Sequence, residues 1–136
     1  MSKHSDIIKR LEAATGPDDW LSHLVAAETG IYPAESIKSI NDEAKVIWFN
    51  LGMAQDPCPN YTASIDAALE LVERLLPGHE KRVGDDQENG RWWAAICAEI
   101  WDENFTEDII GEALTGPLAI LLALFRALEV QEQSHE

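Results

Sequence analysis

The sequence predicts a mainly helical α+β single domain with a small antiparallel β-sheet and a central apolar C-terminal helix. Three observations carry that expectation. Several segments repeat apolar residues at helical spacing between Gly and Pro stops. Arg91 to Ala98 instead reads as a strand with apolar residues on both faces. Leu118 to Val130 is apolar almost all round, as a helix at the centre of a core must be.

Taken in order, Ser5 is placed to cap a first helix over about 5–14, with Ile7, Ile8 and Leu11 on one face. Thr15-Gly16-Pro17 stops it, because Gly takes the left-handed closing conformation and Pro cannot continue a helix. A second helix over 18–29 uses Trp20, Leu21, Leu24 and Val25, and Gly30 and Pro33 break it. Residues 34–51 read as a third, with Ile37, Ile40, Ala44, Ile47, Trp48 and Leu51 at helical spacing. Asp56-Pro57-Cys58-Pro59-Asn60 is a loop. Thr62 reads as the N-cap of a helix over 62–76 that Pro77-Gly78 closes.

The period then changes. Asn89-Gly90 favours a tight hairpin turn, preceded by a short strand of poor pattern around Glu80 to Gly84. The following strand, 91–98, places Trp92, Ala94, Ile96 and Ala98 on one face. Trp93, Ala95 and Cys97 fall on the other, so both faces are expected to be covered. Thr106 suggests a short helical turn near Asp108 to Ala113. Gly116-Pro117 opens the last helix, 117–131, with Pro where it costs no hydrogen bond.

A chain of 136 residues, 46% hydrophobic and 26% charged, has the makings of one packed core. Its formal net charge of -15 argues against phosphate-neutralising nucleic-acid binding and against docking on anionic membranes. The longest apolar stretch, Leu118 to Phe125, falls far short of the roughly 20 residues a bilayer span needs. The opening residues reach charge at once and contain no apolar signal core. Cys58 and Cys97 make no disulfide framework. The expected location is the cytoplasm.

The charge is uneven. Residues 1–84 hold 13 acids and 8 bases, whereas residues 85–136 hold 12 acids against only Arg91 and Arg126. A solvated surface that keeps a small protein soluble accounts for such a distribution. The sharper reading is an acidic face that meets a basic partner.

Motifs for chemistry are scarce. The histidines at 4, 23, 79 and 135 form no pair at metal spacing, and neither cysteine has a CxxC partner. Asp85 to Gly90 superficially resembles a calcium loop, but the position of its closing acid is Ile96. No phosphate-binding glycine loop, dinucleotide fingerprint or nucleophile elbow is present. Neither a catalytic site nor a cofactor or metal is expected. Of the five tryptophans, Trp48 and one of Trp92 and Trp93 are assigned to the core. The other of that pair faces away, and Trp101 beside Asp102-Glu103 is either a half-buried tryptophan at a strand end or an interface aromatic.

Three segments carry a family resemblance. Asp6-Ile7-Ile8-Lys9-Arg10-Leu11-Glu12-Ala13-Ala14-Thr15-Gly16-Pro17 resembles the opening of the phage ABA sandwich domain family, small proteins of phages and prophages of α-proteobacteria. Pro59-Asn60-Tyr61-Thr62-Ala63-Ser64-Ile65-Asp66-Ala67-Ala68-Leu69 is similar to its middle segment. Gly90-Arg91-Trp92-Trp93-Ala94 and the closing helix from Thr115-Gly116-Pro117 complete the order. After Leu71 the chain departs from the family pattern, because Val72-Glu73-Arg74-Leu75-Leu76 prolongs the helix. The resemblance implies a mobile-element origin and a layered fold; it carries no reaction and no site residue.

The expectation for function is a non-enzymatic acidic interaction protein of phage or prophage origin. Its most concrete form inhibits a host nucleic-acid-binding defence system, such as CRISPR–Cas. DNA carries about one charge per 1.7 Å of axis, so carboxylates along a protein face can occupy a basic channel built for it. The residues assigned to that face are Asp85, Asp86, Glu88, Trp101, Asp102, Glu103, Glu107 and Asp108. The expected partner is a basic host protein surface, with no nucleic acid or membrane bound directly. A phage structural or assembly component, and a small carboxylate-based enzyme or metal-binding protein, are the alternatives.

Overall fold

The last helix is buried almost all round, and the other described helices each bury apolar side chains in the core around it. The computed structural model describes residues 4–50, 58–98 and 107–133. Helix α1 (Ser5–Ala13) buries Ile7, Ile8 and Leu11. Ser5 is its first helical residue rather than its cap; His4 holds the cap position. Helix α2 (Asp19–Glu28) is capped by Asp18, whose carboxylate accepts the Leu21 N–H at 3.1 Å. Helix α3 (Ile65–Leu75) is capped by Ser64, which accepts the Ala67 N–H, also at 3.1 Å.

Thr62, expected as that cap, has a different task. Its hydroxyl is fully buried, donates to the Asp18 carbonyl at 3.0 Å and accepts the Asp18 N–H at 2.8 Å. Ser22 Oγ lies 2.8 Å from the same oxygen and accepts the Thr62 N–H. This buried knot ties the start of α2 to the chain leading into α3.

The helix expected over 34–51 is absent from the described part of that span. Ala34–Ser36 form a single 3-10 turn, followed by strands β1 (Ile37–Asn41) and β2 (Val46–Phe49). They pair antiparallel, Ile40 opposite Ile47 and Asn41 opposite Val46, with an irregularity near Ile37. Two local features override helical spacing. Ile37, Ile40, Val46, Ile47, Trp48 and Phe49 are β-branched or aromatic, and so fit a pleated surface. Between them Asn41 Oδ1 accepts the Ala44 N–H at 3.0 Å, and Lys45 adopts a left-handed φ of 56°, closing a turn. Alternation then points Trp48 away from Ile47 and Phe49. It is 59% exposed and does not belong to the core.

The second sheet is an antiparallel meander of β3 (Glu80–Asp86), β4 (Arg91–Ala98) and β5 (Glu107–Ala113). β3 extends two residues beyond the expected strand. The Asn89-Gly90 pair sits in a four-residue connection rather than a two-residue turn. Gly90 takes φ 65°, and the Asp86 carboxylate accepts the Glu88 and Asn89 N–H groups. The helical turn expected at 108–113 is strand β5. Ile109 and Ile110 favour a strand, and Gly111 weakens a helix.

Helix α4 (Gly116–Gln133) packs on β4 and β5 on one side, and on α1 and α3 on the other. Leu118 to Phe125 are all buried, which accounts for their near-continuous apolarity. Gly111 lets the sheet approach closely: a Cβ there would lie 2.5 Å from the Ala119 carbonyl oxygen and the Ala123 nitrogen. The architecture is α+β, as expected, with two small sheets instead of one. Among the described residues, no helix is long and apolar enough to cross a membrane.

Candidate functional site

Residues paired across an antiparallel sheet share a face, so the register alone sorts the two faces of β3–β4–β5. Trp92, Ala94 and Ile96 turn toward α4, with Val83 opposite Ala94 and Ile109 opposite Ile96. The outer face carries Gly84, Trp93 and Glu112 in one row, and Arg82, Ala95 and Ile110 in the next. Asp86 opposite Arg91 closes the row at the turn. Coverage of both faces was expected from the sequence, yet Trp93 is 36% and Ile110 50% exposed on this one.

The outer face is shaped, and it sets exposed apolar side chains among charged ones. The Trp93 indole lies across β3 at Gly84, where an added Cβ would come within 2.7 Å of Trp93 Cζ2. Gly84 is therefore a seat for the ring. Beside the ring runs a groove of about 500 Å³ walled by Trp93, Ile110, Glu112, Arg91 and Asp86. Arg91 donates to the Glu112 carbonyl at 3.4 Å. From the helix layer, Arg126 donates to the Ile110 carbonyl at 2.8 Å and so occupies an acceptor of strand β5.

The residues assigned from sequence divide into three groups. Asp86 lies on the groove, half-buried, with both carboxylate oxygens accepting bonds within the turn. Glu88 is exposed in that turn. Asp85 is exposed but pairs with Trp92, so strand alternation separates it from Asp86. Glu107 and Asp108 stand in β5 opposite Ala98 and Cys97. Trp101, Asp102 and Glu103 lie outside the described residues. Trp93, Ile110, Arg91 and Glu112 were not assigned from the sequence. Period-two alternation already put Trp93 on the face opposite Trp92, whereas Ile110 and Glu112 were hidden by the helical reading of their segment.

Two other places gather polar or reactive groups. A groove of about 350 Å³ lies between α1, α2 and β1, lined by Ile7, Arg10, Leu24, Ile37 and Ile40. Arg10 bonds Asp42 in the hairpin turn, and the Trp20 indole N–H donates to Asp42 at 2.8 Å. These bonds, that of Arg10 first, hold the Asp42 carboxyl below its ordinary range. Near the Thr62 knot, the Tyr32 hydroxyl lies 2.8 Å from His23 Nδ1. Burial pushes the Tyr32 hydroxyl and the Cys58 thiol up, so neither is activated as a nucleophile. Among the described residues, no three His, Cys, Asp or Glu side chains stand together as metal ligands.

Comparison of the chain with protein-family models, with curated proteins and with solved structures found no match.

Proposed function

We propose that the chain is a non-enzymatic acidic interaction protein whose outer sheet face docks on a basic protein surface. The carrying observation is the exposed Trp93–Ile110 pair, set in a groove whose rim includes the carboxylates of Asp86 and Glu112. Aromatic side chains at the centre of a polar rim are the usual anatomy of a binding hot spot. The overall charge of -15 favours a basic partner, and its concentration in residues 85–136 coincides with the segment that contributes β4 and β5.

The most concrete form of this reading is inhibition of a nucleic-acid-binding defence protein of a bacterial host. The resemblance to the phage ABA sandwich family supports a phage or prophage origin, and the charge supports a target that otherwise binds DNA. The test immobilises the full chain, captures its partner from a bacterial lysate and follows association of the purified pair. Rim charges act mainly on association. Screening length falls from about 10 Å at 0.1 M salt to about 3 Å at 1 M, so association should slow steeply over that range. Asp86→Asn with Glu112→Gln should weaken binding, as should neutralising Asp102, Glu103, Glu107 and Asp108. Glu35→Gln, Glu43→Gln and Glu70→Gln, on other exposed elements, should not. Equal loss from both sets would reduce the effect to net charge. Duplex DNA should compete for the captured partner; a partner indifferent to DNA would remove the anti-defence form.

A further inference from the structure

We propose that the groove beside Trp93 receives an arginine side chain of the partner protein, an inference that rests on the docking reading above. Three features of the groove select that group.

The first is a stacking surface fixed in place. Gly84 leaves room for the indole to lie across β3, so the ring is held against the strand while part of it lines the groove. A guanidinium is planar and weakly hydrated, and it stacks on an indole more readily than an ammonium group does.

The second is an available carboxylate. Glu112 stands directly opposite Trp93 in the register. Asp86 is committed to its turn, where both of its carboxylate oxygens already accept hydrogen bonds. Among the described residues, the Glu112 carboxylate has no hydrogen-bond or ion-pair partner. It can therefore accept the two parallel N–H donors of an incoming guanidinium.

The third is an apolar flank. Ile110, half exposed, lies one row along from Trp93 and Glu112 on the same face. The methylene stem of an arginine can lie on it while the charged head reaches Glu112. Lysine shares the stem and the charge but has neither the plane nor the fork. A second copy of the chain is disfavoured because it brings another net charge of -15.

The test titrates the ¹⁵N-labelled full chain with a blocked penta-arginine peptide and with penta-lysine at low salt. Penta-arginine should bind more tightly, on the order of threefold, with its largest shift at the Trp93 indole N–H. Trp93→Ala should abolish that preference while the remaining spectrum shows an intact fold. Gly84→Ala, which evicts the ring without changing charge, should do the same. Glu112→Gln should weaken penta-arginine binding more than penta-lysine binding. Equal affinities, with outer-face shifts that spare the Trp93 indole, would overturn the arginine seat and leave acidic docking standing. Shifts centred on the β1–β2 hairpin, or absent from the outer face with both peptides, would overturn both.

Discussion

Replacing Gly111 with alanine should weaken the fold more than the same change at either of two other glycines, because of what each new Cβ would meet. At Gly111 it meets the backbone of α4, with the Ala119 oxygen and the Ala123 nitrogen both 2.5 Å away. That is closer by about 1 Å than an ordinary non-bonded contact, so the helix must lift off the sheet. Such overpacking costs about 1–3 kcal/mol, offset in part by about 0.4–1 kcal/mol from the stiffer unfolded chain. A net loss of roughly 1.3 kcal/mol should lower Tm by about 5 °C in a domain of this size. At Gly84 the obstacle is the partly exposed Trp93 ring, which can swing outward, so Tm should move by only about 2 °C. At Gly16 nothing lies within 4 Å, and alanine should be neutral or slightly stabilising. Thermal melts followed by circular dichroism, with urea titrations to check that m is unchanged, give all three values. A Gly111→Ala melt indistinguishable from wild type would refute the close approach of α4 to β5. So would a Gly84→Ala loss as large as that at Gly111.

Thr62→Val should cost about 2 kcal/mol in urea unfolding, because it leaves the buried Ser22 hydroxyl and the part-buried backbone N–H and carbonyl of Asp18 without their partner. Asp42→Asn removes the ionic bond to Arg10, so amide exchange across β1 and β2 should quicken while β4 is unaffected. In the wild-type chain Asp42 stabilises the hairpin above the ordinary carboxylate pKa, and that contribution should disappear only as pH falls through its depressed value. Alkali should act in the opposite sense. Cys58, Tyr32 and Tyr61 are all pushed up, chiefly by burial, so the folded chain holds those protons more tightly than the unfolded one. Their contribution is complete below about pH 8.5 and is lost as pH rises through the folded pKa values, so Tm should decline above about pH 9.

How much of the fold could be read from the sequence depended on how far each segment's pattern reported its surroundings. The helices α1, α2, α3 and α4 carry their own stops and stripes, and each lies within a few residues of its expected span. Strand β4 was legible because Trp92 to Cys97 is apolar at every position, which suits a strand in the middle of a sheet. The β1–β2 hairpin was not. Ile37, Ile40, Ile47 and Trp48 happen to fall at helical intervals, while the deciding features, the Asn41 turn and left-handed Lys45, are local geometry. Strand β5 was hidden for a related reason: its pairing with β4 is a long-range fact that Glu107 to Ala113 does not announce. The candidate face inherited that error. Asp86 and the outward Trp93 could be seen, but Glu112 and Ile110 become neighbours of Trp93 only through β4–β5 register.

The measurement that bears most directly on the docking face is hydroxyl-radical footprinting of the full chain, free and bound to its captured partner. Trp93 and Trp48 are both exposed but stand on different sheets, so each reports on its own surface. If the outer face of β3–β4–β5 is the docking surface, oxidation of Trp93 and Ile110 should fall several-fold on binding, and that of Trp48 should stay at its free rate. Protection of Trp48 with Trp93 and Ile110 oxidised as fast as in the free chain would contradict the account.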